Sequence, residues 1–277
     1  GGKIFVQLWH TGRVAHPHFF NGGDVLAPSA EKYDGTVPRM RELAYVTPKP
    51  VTEADIEQLV ADYAQAAANA IDAGFDGVEV HGAHGYLLAQ YLSPTLNQRT
   101  DQYGGSLENR ARPIFDIIKG IRERCRADFN VSVRLSPERF DMKLGEVIDV
   151  ARRLFKEGEI DFLDMSLWDV KKEPVEEAFQ GRTLMSYFTE LDRGAVKLGV
   201  AGKITTAEAA QYCMDAGVDF VMIGRGAILH HDFPNKVAKD DGFTSAALPI
   251  SRDHLKQEGL GETFINSLSE WPGFVQE

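Results

Sequence analysis

Gly74-Phe75-Asp76-Gly77-Val78-Glu79-Val80-His81-Gly82-Ala83-His84-Gly85-Tyr86 is the stretch whose reading decides the fold. Just upstream, residues 52–73 carry Ile56, Leu59, Val60, Tyr63, Ala67, Ala70 and Ile71 at helical spacing behind a Thr52/Asp55 capping pair. Gly74 ends that helix, as glycine commonly does at a helix C-terminus. Residues 77–80 are then a short apolar run, the pattern of a strand covered on both faces. The same alternation extends outward. Strand patterns at 3–8, 130–135, 160–166, 195–200 and 220–223 are separated by helical patterns at 109–126, 144–157, 187–195 and 205–216, the last opened by Thr205-x-x-Glu208. Strand–helix alternation with continuous apolar strands implies a parallel sheet covered by helices.

Six strands suit a doubly wound sheet and fall two short of a closed eight-stranded barrel. The placement of the unusual residues favours the barrel. His10, His81, Arg134, Ser166, Gly202 and Gly224-Arg225 all stand at or just beyond the C-terminal ends of successive strands. A site assembled from many strand ends marks a (β/α)8 TIM barrel, whereas a doubly wound sheet concentrates its site at one switch point. The expected fold class is therefore α/β, a (β/α)8 barrel with six of its eight strands in this chain. The barrel domain is expected over residues 1–240, with a loop or hairpin insertion at 11–50, where Gly, Pro, Asn and Asp are frequent and periodicity is lost. Residues 241–277 are expected to form a helical tail packed through Trp271 and Phe274.

Bulk properties narrow the function. The 277 residues are 43% hydrophobic and carry a net charge of −11, with no basic block, which argues against nucleic acid as a partner. The two cysteines lie apart, in helical segments, so neither an iron–sulfur cluster nor a disulfide framework is expected. No apolar run is long enough to span a bilayer and no signal-peptide pattern is present, so the protein is expected to be cytoplasmic and free of the membrane.

The chemistry concentrates after the strand at 77–80. His81 and His84 stand three apart, with Tyr86 two further on. In a helical turn the two imidazoles would share a face and converge on one atom. Three readings fit. They could be metal ligands completed by another residue, a hydrogen-bonding pair that polarises a carbonyl with Tyr86 as proton donor, or a histidine pair satisfied within the core. Downstream, residues 97–112 are dense in Asn, Arg, Asp and Tyr, which predicts a loop fixed by its own hydrogen bonds.

Several runs together carry a family resemblance. They are Gln7-Leu8-Trp9-His10-x-Gly12-Arg13, Gly74 to Leu87, Asn97-x-Arg99-Thr100-Asp101-x-Tyr103-Gly104-Gly105-Ser106-x-Glu108-Asn109-Arg110, Val133-Arg134-Leu135-Ser136-Pro137 and Ile223-Gly224-Arg225. In this order they resemble the old yellow enzyme family, FMN-dependent ene reductases, from the first residues to about Pro234. The resemblance implies FMN as cofactor and NADPH or NADH as reductant. Gln7 would meet the flavin pyrimidine edge and Arg134 the region of N1 and O2, where a fixed cation stabilises the reduced anion. Gly202, Lys203, Gly224 and Arg225 would hold the phosphate, in keeping with the loops after the last two barrel strands. His81 and His84 would bind the oxygen of an activated alkene, Tyr86 would protonate the α-carbon and Trp9 would shape the substrate pocket. Hydride would pass from NAD(P)H to flavin N5 and then to the alkene β-carbon. The family's first two strands precede the point at which Gly1-Gly2 opens this chain, and the segment after Gly226 departs from its better-known members. Weak flavin binding by the chain alone, or a homo-oligomer or partner that completes the barrel, is expected accordingly. The competing functions are a flavin-poor barrel acting as a binding protein and a metal-dependent barrel hydrolase using His81 and His84.

Overall fold

Parallel ladders join the strands in register, and the computed structural model describes them within residues 2–38 and 40–276; Gly1, the first of the opening glycines, lies outside. The strands of these ladders are numbered β1 to β6. β1 (Phe5–Leu8) pairs with β2 (Gly77–Gly82), placing Gln7 opposite Glu79. β2 pairs with β3 (Asn130–Leu135), placing His81 opposite Arg134, and β3 pairs with β4 (Phe162–Ser166), placing Arg134 opposite Asp164. Val78, Val80, Val131, Val133, Leu135, Leu163 and Met165 are fully buried, as expected of strands covered on both faces.

The chain divides into two units by its internal packing. One comprises Gly1–Ser166, Pro174–Gln180 and Glu190–Leu198; the other comprises Leu167–Glu173, Gly181–Thr189 and Gly199–Glu277. In the first, α1 (Glu53–Asp72) begins at a full capping box. The Thr52 N–H donates to the Asp55 carboxylate at 2.7 Å, and the Asp55 N–H donates to Thr52 Oγ1 at 3.1 Å. α1 packs against α3 (Leu107–Arg124), where Gly120 permits close approach: a Cβ there would stand 3.0 Å from a Val60 methyl. Between them lies α2 (Leu87–Leu92), every residue of which is buried. α4 (Leu144–Glu157) buries Leu144, Val147, Ala151 and Leu154 on one face and ends at Gly158, in the left-handed conformation.

The polar stretch 97–112 is fixed by its own hydrogen bonds, as its composition predicts. The Asn97 amide donates to the carbonyls of Tyr91 (2.9 Å) and Tyr103 (2.8 Å). Arg99 pairs with Asp101 and reaches the carbonyls of Pro28 and Val51. Arg110, only 3% exposed, forms a two-pronged pair with Glu146 of α4 (2.7 and 3.1 Å) and donates to the carbonyls of Leu92 and Gly105.

β5 (Lys197–Ala201) begins in the first unit, where the Lys197 N–H donates to the Asp161 carbonyl at 2.9 Å, and ends in the second. There it pairs with β6 (Phe220–Met222), with Met222 opposite Ala201. The second unit has its own apolar cluster of Leu229, Ile250, Leu255, Ile265, Leu268, Phe274 and Val275.

Three local expectations change. The helix read over 187–195 is one turn, Ser186–Thr189: the Asp192 carboxylate accepts the Gly194 N–H at 3.2 Å, and Gly194 takes φ +55°, which stops helical propagation. α5 (Ala207–Asp215) is capped by Thr206, not Thr205, since Thr206 is extended and its Oγ1 accepts the Ala209 N–H at 3.0 Å. Phe274 is buried as expected of an anchor, but Trp271 is 46% exposed and meets the Phe274 ring edge-on.

The Arg110 clamp predicts the effect of its loss. Arg110→Met strands the Glu146 carboxylate and the buried Leu92 carbonyl, and should lower stability by about 2–3 kcal/mol in urea unfolding. A change under about 0.5 kcal/mol would show that the clamp is dispensable.

Candidate functional site

The first unit gathers His81, His84, Tyr86 and Trp9 into one aromatic group. The ring centroids of His81 and His84 are 5.1 Å apart at 85°, those of His81 and Tyr86 are 5.3 Å apart, and those of Trp9 and Tyr86 are 4.8 Å apart. The turn that brings the histidines together is not helical. His84 has φ +60° and Gly85 φ +76°, a left-handed pair that swings the His84 ring back toward His81. The His84 N–H donates to Ser136 Oγ at 3.0 Å, which holds the bend.

The state of the imidazoles follows from their surroundings. His81 is 4% exposed, and its Nδ1 accepts the Ala83 N–H at 3.3 Å, so its proton lies on Nε2. Burial, then the positive charge that His84 and Arg134 carry or would carry, lowers the His81 pKa to about 3. Burial and then Arg134 lower that of His84 to about 4. Both are neutral at pH 7, each carrying a single ring N–H. Burial, followed by Tyr33, raises the Tyr86 pKa, so its phenol keeps its proton. No group of three potential metal ligands among the described residues includes His81 or His84.

Beneath them lies a polar row. Arg134 Nε donates to Ser166 Oγ at 2.7 Å and lies 3.0 Å from an Asp164 carboxylate oxygen. Because its hydrogen is aimed at Ser166, the Asp164 contact is an ion pair and not a directed hydrogen bond, and both Asp164 oxygens lack a hydrogen-bond donor. Burial raises the Asp164 pKa to about 7, opposed by Arg134 and reinforced by Glu79. Burial likewise raises Glu79, opposed by the hydrogen bond from Gln7. The Gln7 amide nitrogen is therefore turned onto Glu79. The two Nη groups of Arg134 make no hydrogen bond among the described residues. A cavity of about 530 Å³ adjoins the group, walled by Trp9, Tyr33, Tyr45, His84, Tyr86 and Phe140.

The remaining sequence candidates lie in the second unit. Gly202 follows β5, and a Cβ there would stand 2.7 Å from the Asp169 nitrogen, so only glycine fits the close approach. Lys203 takes φ +50°, and its ammonium pairs with Asp169 at 3.1 Å. Gly224 has open space around it, and Arg225 is exposed with no partner among the described residues. Pairing of Met222 with Ala201 makes both loops leave the same ends of neighbouring strands.

Sequence reasoning missed Glu79, Asp164 and Ser136. The first two had a readable signal: each is a charge inside an apolar strand, two residues before His81 and Ser166 respectively, hence on the same strand face. It also missed a cluster in the second unit, His230, His254 and Glu258. His230 Nε2 accepts the Ala246 N–H at 3.0 Å, and His254 Nε2 meets the Leu229 carbonyl at 2.8 Å. His230 Nδ1 and His254 Nε2 stand 3.8 and 3.9 Å from the Glu258 carboxylate, charge contacts beyond hydrogen-bond length.

Comparison with known proteins places these residues in context. The sequence pattern of the NADH:flavin oxidoreductase / NADH oxidase family matches residues 1–241. The flavin oxidoreductase hxnT of Emericella nidulans is 47% identical over 137 residues, 50% of this chain and 35% of that protein. The 12-oxophytodienoate reductase 1 of Oryza sativa subsp. japonica is 33% identical over 244 residues, 87% of this chain and 63% of that protein. A structure of a morphinone reductase mutant in complex with tetrahydroNAD superposes with a TM-score of 0.74 at 31% identity, over 89% of this chain and 68% of that one. The chain shares its (β/α) barrel fold, with six of the eight strands present. Among the described residues no helix is long and apolar enough to cross a membrane.

The lowered histidine pKa values carry a stability signature. Below pH 6.5 the unfolded chain protonates His81 and His84 while the folded chain resists until about pH 3 and about pH 4. These residues should therefore subtract stability as pH falls from 7 to 5, by about 2 kcal/mol each. The variant carrying His81→Asn and His84→Asn should lose less over that range in urea unfolding; identical slopes would refute the buried neutral pair.

Proposed function

Since the chain belongs to the NADH:flavin oxidoreductase / NADH oxidase family, the old yellow enzyme family, we propose that it acts as an FMN-dependent, NAD(P)H-driven reductase of activated alkenes. The observation that supports this best is the pair of neutral imidazoles beside a protonated tyrosine and a guanidinium with unpartnered Nη groups. The residues present suit FMN. In the first unit Arg134 offers N–H donors and a positive charge suited to the pyrimidine edge, with Gln7 alongside; in the second, taken by itself, Gly202, Lys203, Gly224 and Arg225 form a glycine-lined, cationic strand-end pair suited to a phosphate. Bound FMN would supply the hydride chemistry, accepting hydride from NAD(P)H and delivering it to the β-carbon of the alkene.

The chain's own residues do the rest. His81 and His84 donate N–H groups to the oxygen of an α,β-unsaturated carbonyl or nitro compound. Their neutrality matters, because a donor whose proton stays put strengthens its bond as negative charge grows on that oxygen. Tyr86 holds its proton on the phenol oxygen, ready for the α-carbon. Trp9, Tyr33 and Tyr45 wall the cavity beside the reacting carbons. Loss of one donor to a developing oxyanion typically slows the step by about 10²-fold.

The central test is a visible spectrum of the purified chain with added FMN, before and after anaerobic NAD(P)H. Flavin absorbance that bleaches on reduction is expected; a colourless protein that takes up no FMN would sink the proposal. In the loaded protein, Tyr86→Phe should slow alkene reduction by about 10²-fold and leave reduction by NAD(P)H within about twofold. Equal loss in both halves would exclude a proton-donor role. His81→Ala should weaken the binding of phenols, which present an enolate-like oxygen, and unchanged phenol affinity would argue against the donor pair.

A further inference from the structure

Gln90 lies on α2 with no exposure, and its side chain bridges the two loops that carry the aromatic group. Its Oε1 accepts the Arg13 N–H at 3.1 Å. Its Nε2 donates to the Gly85 carbonyl at 2.8 Å and to the Thr11 carbonyl at 3.3 Å. Gly85 separates His84 from Tyr86, and Thr11 to Arg13 follow Trp9 and His10. One amide thus holds the loop after β1 against the loop after β2, using both of its protons and its oxygen. The bend of the first loop is fitted to it: Gly12 has φ +60°, and a Cβ there would stand 2.3 Å from Gln90 Oε1. A backbone bond from the Leu87 N–H to the His10 carbonyl (3.1 Å) joins the same loops at one further point. Across the same pair of loops the Trp9 ring meets the Tyr86 ring at 4.8 Å.

We infer that Gln90 is a positioning residue that fixes Trp9 against the His84–Tyr86 turn, and so sets the width of the site that receives the substrate oxygen. Only an amide meets the demand. Two carbonyls require donors and one N–H requires an acceptor; a carboxylate would face two carbonyl oxygens, and an apolar side chain would leave all three half-buried backbone groups without this partner. The catalytic consequence rests on the function proposed above, while the loop geometry does not.

The experiment separates the two. In a chain carrying Trp168→Phe and Trp271→Phe, Trp9 is the sole indole, and its acrylamide quenching reports on its packing without any flavin. The parent should show the same quenching at pH 5.5 and pH 8. Gln90→Met should increase it at both. Gln90→Glu should be close to the parent at pH 5.5, where the buried carboxyl is protonated and keeps one donor and one acceptor, and should match Gln90→Met at pH 8 once ionised. In the FMN-loaded protein, the affinity for a simple phenol should fall about tenfold or more wherever quenching increases, while flavin reduction by NAD(P)H changes less than about twofold. A purely structural glutamine would lower the unfolding midpoint and leave Trp9 quenching and phenol affinity of the folded protein untouched; that result overturns the inference. If Gln90→Met does not fold, the two pH values of Gln90→Glu decide alone. A quenching change in a chain whose parent binds no phenol supports the positioning role and counts against the proposed function.

Discussion

Register across the parallel ladders is the constraint from which the site follows. Gln7 opposite Glu79, His81 opposite Arg134 and Arg134 opposite Asp164 leave little freedom in where these groups stand. A slip of one residue would send this polar row to the opposite face, among the helices, and bring valines into its place. A half-buried cation beside two carboxylates is tolerable because opposite charges offset one another and Ser166 Oγ accepts the guanidinium Nε–H. The same arrangement adds a positive charge that reinforces burial in keeping the two histidines unprotonated. Fold specificity and site electrostatics are thus one set of contacts.

The loops add what the strands cannot. A left-handed pair at His84-Gly85, held by Ser136, converts a three-residue spacing into converging rings. Without that bend the imidazoles would diverge after the strand. Neutral donors, a protonated phenol and a fixed cation are a combination suited to receiving negative charge on a substrate atom, which is the role the family resemblance and the geometry both support.

Legibility varied by the range of the interaction involved. Parallel strands and their helices were readable from periodicity, because burial on two faces leaves an apolar run and burial on one leaves a helical stripe. The Thr52/Asp55 box and the Gly74 stop were readable because both are local. The helix read over 187–195 failed where Asp192 and Gly194 form a turn that an apolar pattern does not reveal. The cap at Thr206 was misplaced by one residue, since two adjacent threonines offer the same signal. In the candidate site, the grouping of His81, His84 and Tyr86 was legible from the motif. Their neutrality, the attachment of Gln7 to Glu79 and the pairing of Lys203 with Asp169 were not, because each depends on a partner distant in sequence.

Arg99 has a further consequence, best put in polymer terms. By holding the carbonyls of Pro28 and Val51 at once, with Gln98 bound through its N–H to Ser29 Oγ, it pins the two ends of the intervening segment together. That segment is then a closed ring whose ends are fixed whatever its contour length. The entropy of such a ring grows only logarithmically, so doubling its length costs about 0.6 kcal/mol. Evolution can lengthen, shorten or rewrite the tip that carries Tyr33 and Tyr45, and so reshape one wall of the cavity, without disturbing the strands beneath.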